Sequence, residues 1–541
     1  AFADLDADGA AELVLAGDDG VVHALRADRT EAPGWPTRTG IAPFWHAGST
    51  TARAAGVIAP DRASGIGAPA VADLDGDGSP EVVVADLEGS VHVFGADGSV
   101  RASMSSDPRF SRGEATDERN RMKRGFVGGA ALGDLDGDGA FDVVAAAMDR
   151  HVYAWHADGS PLAGFPVLVV DPAQVDDVDA DTHHVTFRSP GATGQGGEIV
   201  ATPALGDLDG DGRPEIVIGT QEQYDEPPAV FPGLGLPGQS GNTRLFAISS
   251  YGTGHPAGAD RSAAHPDDRA YLAGWPVALP MFLTAVLPTI GDGVATQAAI
   301  GDVDGDGAVE VVATSVSGQT MVLDADGRSP YGRPFGVQLA LNWLGAVPPG
   351  TDSSDTAALT SAFGGAAIGR LDPDVPDGGT GRGLDVVVPT TGAGRALDTL
   401  FANDQPGDPQ LTAWSGRDGA IRPGFPRVTA DVAFFVTPAI ADVDGDGSDE
   451  VVAANGVQML DAFRGDGTPP SGWPKLTGGW AVGTPAFGDW DGDGGGDVAI
   501  TRRDGHLLVW RVPTRADALG DWIRFGGNDR NDGTPSLGSN G

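Results

Sequence analysis

The stretch LGDLDGDGRPEIVIG, residues 205–219, sets Asp207, Asp209, Asp211 and Glu215 at positions 1, 3, 5 and 9 of a short loop. Glycines stand at positions 4 and 6, and a β-branched run follows. Carboxylates at this spacing, with a backbone carbonyl expected at position 7, make a hard, all-oxygen shell suited to Ca²⁺. The glycines let the backbone wrap around an ion. An EF-hand would place its last acid at position 12 and flank the loop with helices; here the acid comes at 9 and a strand follows. Four carboxylates folded together without a cation would repel one another, which weighs against reading the stretch as a bare Asp-Gly turn.

The loop is one of a series. Full copies begin at Asp4, Asp73, Asp134, Asp207, Asp302, Asp442 and Asp489, and an eighth, degraded copy carries Arg370 in the leading position. A catalytic constellation is normally assembled once, whereas an architectural unit is repeated. Around each loop the order recurs: a short strand such as TPALGD, the acidic loop, a strand such as EIVIG, a strand such as HVYAWHADG, then GFP or GWP. Four short antiparallel strands per unit, repeated end to end, predict an all-β chain folded as a single β-propeller of four-stranded blades. Eight blades are expected, with seven as the alternative if the first and last copies share one. The propeller is expected over residues 1–526, with a polar C-terminal tail at 527–541.

Composition agrees with many strands joined by turns, since the chain of 541 residues has 84 glycines and 40 prolines. It has no cysteine, which removes disulfides, thiolate metal sites and cysteine nucleophiles. The formal charge is -42. Seven bound divalent cations would still leave the chain acidic, so nucleic acid and anionic membrane are not expected partners. The most apolar stretch, from Tyr271, is interrupted by three prolines and reads as strand and connection rather than a membrane span. Because the first loop begins only three residues after Ala1, where other copies have a strand, the chain reads as part of a longer precursor.

These loops resemble the FG-GAP or VCBS-type repeats of bacterial surface proteins, related to the calcium-binding propeller of integrin α-subunits. On that resemblance the ligands of about seven Ca²⁺ sites are Asp4, Asp6, Asp8 and Glu12; Asp73, Asp75, Asp77 and Glu81; Asp134, Asp136, Asp138 and Asp142; Asp207, Asp209, Asp211 and Glu215; Asp302, Asp304, Asp306 and Glu310; Asp442, Asp444, Asp446 and Glu450; and Asp489, Asp491, Asp493 and Asp497. The eighth copy departs from the pattern, and Arg370 is expected among Asp372, Asp374 and Asp385 as an internal substitute for the ion. The resemblance implies an extracellular or cell-surface protein with an adhesion or scaffolding role, although some calcium propellers are polysaccharide lyases.

No GxSxG, HExxH or P-loop pattern occurs, so no catalytic residue is nominated. The segment 177–184 mimics the first half of a calcium loop and adds His183 and His184, but lacks the glycine at 6 and the acid at 9. It reads as an exposed polar loop, with an extra metal site as the alternative. If the calcium loops are the turns between first and second strands, they tile one face, and most long insertions fall on the other. Trp45 and Trp343, with Arg109, Arg112, Arg121 and Arg124, are the candidate contacts there for a glycan or protein partner. A binding module is the preferred function; a lyase acting on an acidic polysaccharide is the alternative, for which the spacing supplies no base.

Overall fold

The computed structural model describes the chain except for residues 18, 40–66, 112–123, 189–196, 223, 225, 227–242, 255–269, 280–292, 316–319, 333–334, 336–357, 362–363, 372–382, 393–408, 431–435 and 537–541. It is an eight-bladed β-propeller. The first blade pairs Phe2–Ala3, Glu12–Ala16, Val21–Leu25 and Thr37–Arg38 in that order, each strand antiparallel to the next. The second, third and fourth repeat the order, beginning at Ala70–Ala72, Ala131–Gly133 and Ala204–Gly206. The fifth begins at Ala299–Gly301, the sixth at Ala367–Gly369, the seventh at Ala439–Ala441 and the eighth at Ala481–Gly488. Among the described residues the fifth and eighth sheets show three strands. In the fifth, the bridge between Thr320 and Phe335 marks the fourth position.

The repeat packs because strand side chains alternate. On the second strand of blade three, Val143 and Ala145 face blade two with Val83 and Val93, while Val144 and Ala146 face blade four with Ile216 and Ile218. Each blade therefore has two buried faces, and the core is a series of layers between neighbours. The Gly-aromatic-Pro signals fasten these layers. Trp35 Nε1 donates to Ala96 O of the next blade at 2.9 Å, and Trp275 Nε1 to Ala325 O at 2.8 Å. Gly34, at φ +90°, lies so close to the next blade that a Cβ there would meet Asp97 O at 1.8 Å, which leaves room only for glycine.

The first blade supplies its own four strands, so the ring closes without a shared sheet. At the seam Ala11 N donates to Asp489 O at 3.0 Å and Trp490 Nε1 to Leu25 O at 2.9 Å. The first strands of neighbouring blades adjoin around the axis, and a segment running from Leu519 to Ser536 occupies the channel they leave. Its carbonyls accept the N–H groups of Val71, Leu132, Leu205, Ile300, Ile440 and Phe487, from Asp529, Arg530, Asp532, Gly533, Trp522 and Ile523 respectively, at 2.7–3.0 Å. Inner-strand donors that no fifth strand could reach are thereby paired. Residues 527–536, the described part of the polar tail, thus lie along the axis. No helix among the described residues is long and apolar enough to cross a membrane.

Candidate metal loops and the opposite face

Each acidic loop joins the first strand of its blade to the second. In blade four, Asp207 accepts N–H groups from Gly210 at 2.8 Å and Gly212 at 3.0 Å. Asp209 accepts from Asp211, and Asp211 from Arg213. Glu215 opens the second strand and turns one oxygen, Oε2, back to Leu208 N at 2.9 Å. The same brace joins Glu12 to Leu5, Glu81 to Leu74, Asp142 to Leu135, Glu310 to Val303, Glu450 to Val443 and Asp497 to Trp490. The acid at position 9 is buried in all seven loops, so one oxygen is committed to the backbone and the other is held under the loop.

The arrangement fits a hard divalent cation. Ligand atoms of Asp4, Asp6 and Glu12 lie within 4.8 Å of one another, as do those of Asp73, Asp75 and Glu81, of Asp134, Asp136 and Asp142, and of Asp207, Asp209 and Glu215. In the seventh loop the buried oxygens Asp444 Oδ1 and Glu450 Oε1 have no hydrogen-bond donor. Burial, reinforced by neighbouring aspartates, pushes the Glu215 and Glu450 carboxyls up to about 8, Glu310 to about 7 and Asp142 to about 6. Holding such a carboxylate ionised is costly, and a cation held by oxygen ligands would offset that cost.

In the sixth blade Arg370 has a partner outside its own loop. Its Nε and Nη2 each lie 3.0 Å from a carboxylate oxygen of Asp521, in the channel segment. Asp385 takes over the bracing role, accepting Leu371 N at 3.1 Å, and is itself bonded by Arg422 Nη1 at 2.8 Å. Asp372 and Asp374 lie outside the described residues.

Among the described residues, the opposite face carries the turns between second and third strands and the ends of the connections between blades. Trp45, Trp343, Arg112 and Arg121 lie outside the described residues. Arg109 folds back on Asp107, Nη2 to Oδ2 at 2.6 Å, and Arg124 accepts Ser106 Oγ through its carbonyl at 2.7 Å. The segment 177–184, expected as an exposed polar loop, ends the strand Val175–Val178 and forms the largely exposed turn that joins it to Val185–Phe187 in a β-hairpin. Asp179 Oδ1 caps that turn, accepting the N–H groups of Asp181 and Thr182. His183 reaches the buried His151 of the third blade, Nδ1 to Nε2 at 2.7 Å. His151 Nδ1 is also 2.8 Å from Asp149 O, a group that can only accept, so Nδ1 carries a proton there.

Phe110, from the insertion after blade two, stacks on both imidazoles with ring centroids 4.2 Å away. Beside them runs a buried polar network. Arg150 Nη1 donates to Glu222 Oε1 at 2.8 Å, Tyr224 bonds the other Glu222 oxygen, and Arg244 Nε donates to Asp171 Oδ2 at 2.8 Å. Arg150 also lies over the Phe187 ring of the hairpin. None of these residues stands out in the sequence, because no repeat places them and their partners are 72 and 73 positions away.

A family model described as FG-GAP-like repeat matches residues 4–84 and 73–145. A search of the curated proteins gives no match. Among solved structures, the chain is similar to BamB from Moraxella catarrhalis at 11% identity and a TM-score of 0.47, covering 94% of this chain and 98% of that one. It is also similar to the Vibrio cholerae biofilm matrix protein Bap1, at 14% identity and a TM-score of 0.37 over 98% and 91% of the two chains. A quinohemoprotein alcohol dehydrogenase, ADHIIG from Pseudomonas putida HK5, matches at 13% identity and a TM-score of 0.46 over 92% and 68%.

Proposed function

We propose that this chain, which is an FG-GAP-type β-propeller, is a secreted or cell-surface binding and scaffolding module, braced by calcium on one face and engaging a glycan or protein partner with the other. The observation that carries this reading is the division of labour between the faces. The seven acidic loops are all turns between first and second strands, tied down by hydrogen bonds to their own backbone. On the other face, elements from different blades converge, as Phe110 does on His151 and His183. Long connections on a rigid scaffold are where binding usually resides. Extracellular modules commonly hold Ca²⁺ with dissociation constants of roughly 10⁻⁴ to 10⁻³ M, concentrations met outside the cell, which supports the localisation.

The test is binding to an array of acidic and neutral polysaccharides and to purified surface proteins at saturating calcium, with Trp45→Ala, Trp343→Ala, Arg121→Ala and Phe110→Ala compared singly. Loss of binding with retained folding is expected for at least one of the four. Unchanged binding in all four, with loss on altering the calcium-loop face of a folded protein, overturns the choice of face. Release of unsaturated sugar, read as new ultraviolet absorbance, would instead identify a lyase.

A further inference from the structure

A guanidinium stands among the acids of three loops. In blade one, Arg26 bonds Asp6 and places Nε 3.4 Å from Glu12 Oε1. In blade seven, Arg464 bonds Asp444 and places Nε 3.8 Å from Asp446 and 3.9 Å from Glu450. In blade eight, Arg511 Nη2 is 2.6 Å from both Asp491 and Asp493. The three arginines share one repeat position, the residue after Leu25, Phe463 or Trp510 of the third strand, from which the side chain returns to the loop of its own blade.

In blades two to five that position is Gly95, His156, Ser249 and Asp324. Among the described residues, no lysine or arginine there pairs with a loop acid. Arg213, inside the fourth loop, is turned onto the Tyr251 ring, 4.8 Å from its centroid. In blade three the side chain at this position is an imidazole, not a guanidinium: His156 approaches Asp142, Nδ1 to Oδ1 at 3.0 Å. Blade six, with Arg422 on Asp385, sides with the arginine group. Blades six, seven, eight and one are consecutive in the closed ring, so arginine serves one half and leaves the acids of the other half to an ion.

Building on the calcium reading above, we propose that the seven loops form two classes of cation site: four tight sites in blades two to five, and three weak ones in blades seven, eight and one. In the weak class the arginine already neutralises part of the acidic charge. A divalent ion entering among the same oxygens must displace it, or sit within a few ångströms of a like charge.

The experiment is a calcium titration of chelator-stripped protein at pH 8, by calorimetry and equilibrium dialysis. The wild type is expected to take four ions tightly and three at least tenfold more weakly. Arg26→Gln, Arg464→Gln and Arg511→Gln should each move one site into the tight class, and the triple variant should bring the tight count to seven. Seven equivalent ions in the wild type, or a tight count that the substitutions leave unchanged, overturns the proposal. If the triple variant does not fold, the single variants decide. A wild type that binds no calcium at all overturns the calcium reading itself, and zero stoichiometry distinguishes that failure from a single uniform class.

Discussion

Arg370 and Asp521, 151 positions apart, form a two-pronged ion pair that fastens the sixth blade to the segment in the central channel. Asp521 is buried, and Arg370 is its bridge to solvent. Replacing Arg370 with Met leaves the Asp521 charge buried without its fork. Because Arg370 is partly exposed, the expected loss is about 1–3 kcal/mol, below the ~3–5 kcal/mol of a fully buried pair. Urea unfolding measures it, and an unchanged midpoint would remove the pair from any account of stability.

Asp449 holds the backbone of the same residue, its Oδ2 accepting Asp521 N–H at 2.9 Å. Burial, and then the charge of Asp521, pushes the Asp449 carboxyl up to about 8. A carboxyl raised above its unfolded value of roughly 4 favours the folded state in its protonated form. Its contribution is complete below about pH 4 and is lost as the pH rises to about 8. With calcium saturating, the melting temperature should fall between about pH 5 and pH 8. Asp449→Asn, which keeps the acceptor and removes the charge, should fall less steeply; equal slopes would exonerate Asp449.

Calcium removal should destabilise the whole ring. An ion that binds only the native state stabilises it by about 2.7 kcal/mol per site at a hundredfold excess over Kd. The melting temperature is expected to drop by many degrees in EGTA, to recover with Ca²⁺, and to recover poorly with Mg²⁺, which demands a tighter octahedral shell. A melting curve indifferent to EGTA contradicts the metal assignment.

Asn531 tests the channel segment directly. It is fully buried at φ +53°, and its Nδ2 lies 3.3 Å from both Ala68 O and Ala130 O of two different blades. Asn531→Ala removes these bonds and loses the tolerance of asparagine for a left-handed backbone. A loss of about 2 kcal/mol is expected. Asn531→Gly, which restores only the backbone freedom, should recover part of it in the same unfolding assay.

The blades were legible in the sequence because their determinants are local: an acidic loop, two short strands and a Gly-aromatic-Pro stop, such as Gly34-Trp35-Pro36, recur within each unit. The channel segment was not. Its bonds run through the backbones of Val71, Leu132 and Leu205, so they leave no trace in side-chain pattern, and residues such as Asn528 and Asn531 read only as part of a polar tail. The Arg370 pairing was missed for a related reason: a spacing argument looks for partners nearby, whereas Asp521 comes from the axis. The arginines at 26, 464 and 511 were visible as letters, but their shared repeat position gains meaning only when the third strand is seen to return its side chain to the loop.

The segment on the axis also imposes an order in time. Strands within a blade meet over short stretches of chain, and such local structure can form early. Arg524 Nη2, however, donates to Pro69 O across 455 positions, and Asn531 to Ala130 O across 401. Those bonds wait until every blade has been synthesised. Refolding should therefore show a fast phase in which blades assemble and a slower one in which the axis fills. During synthesis the nascent ring would remain open, its inner strand edges exposed to chaperones or to other chains, until the segment from Leu519 to Ser536 arrives.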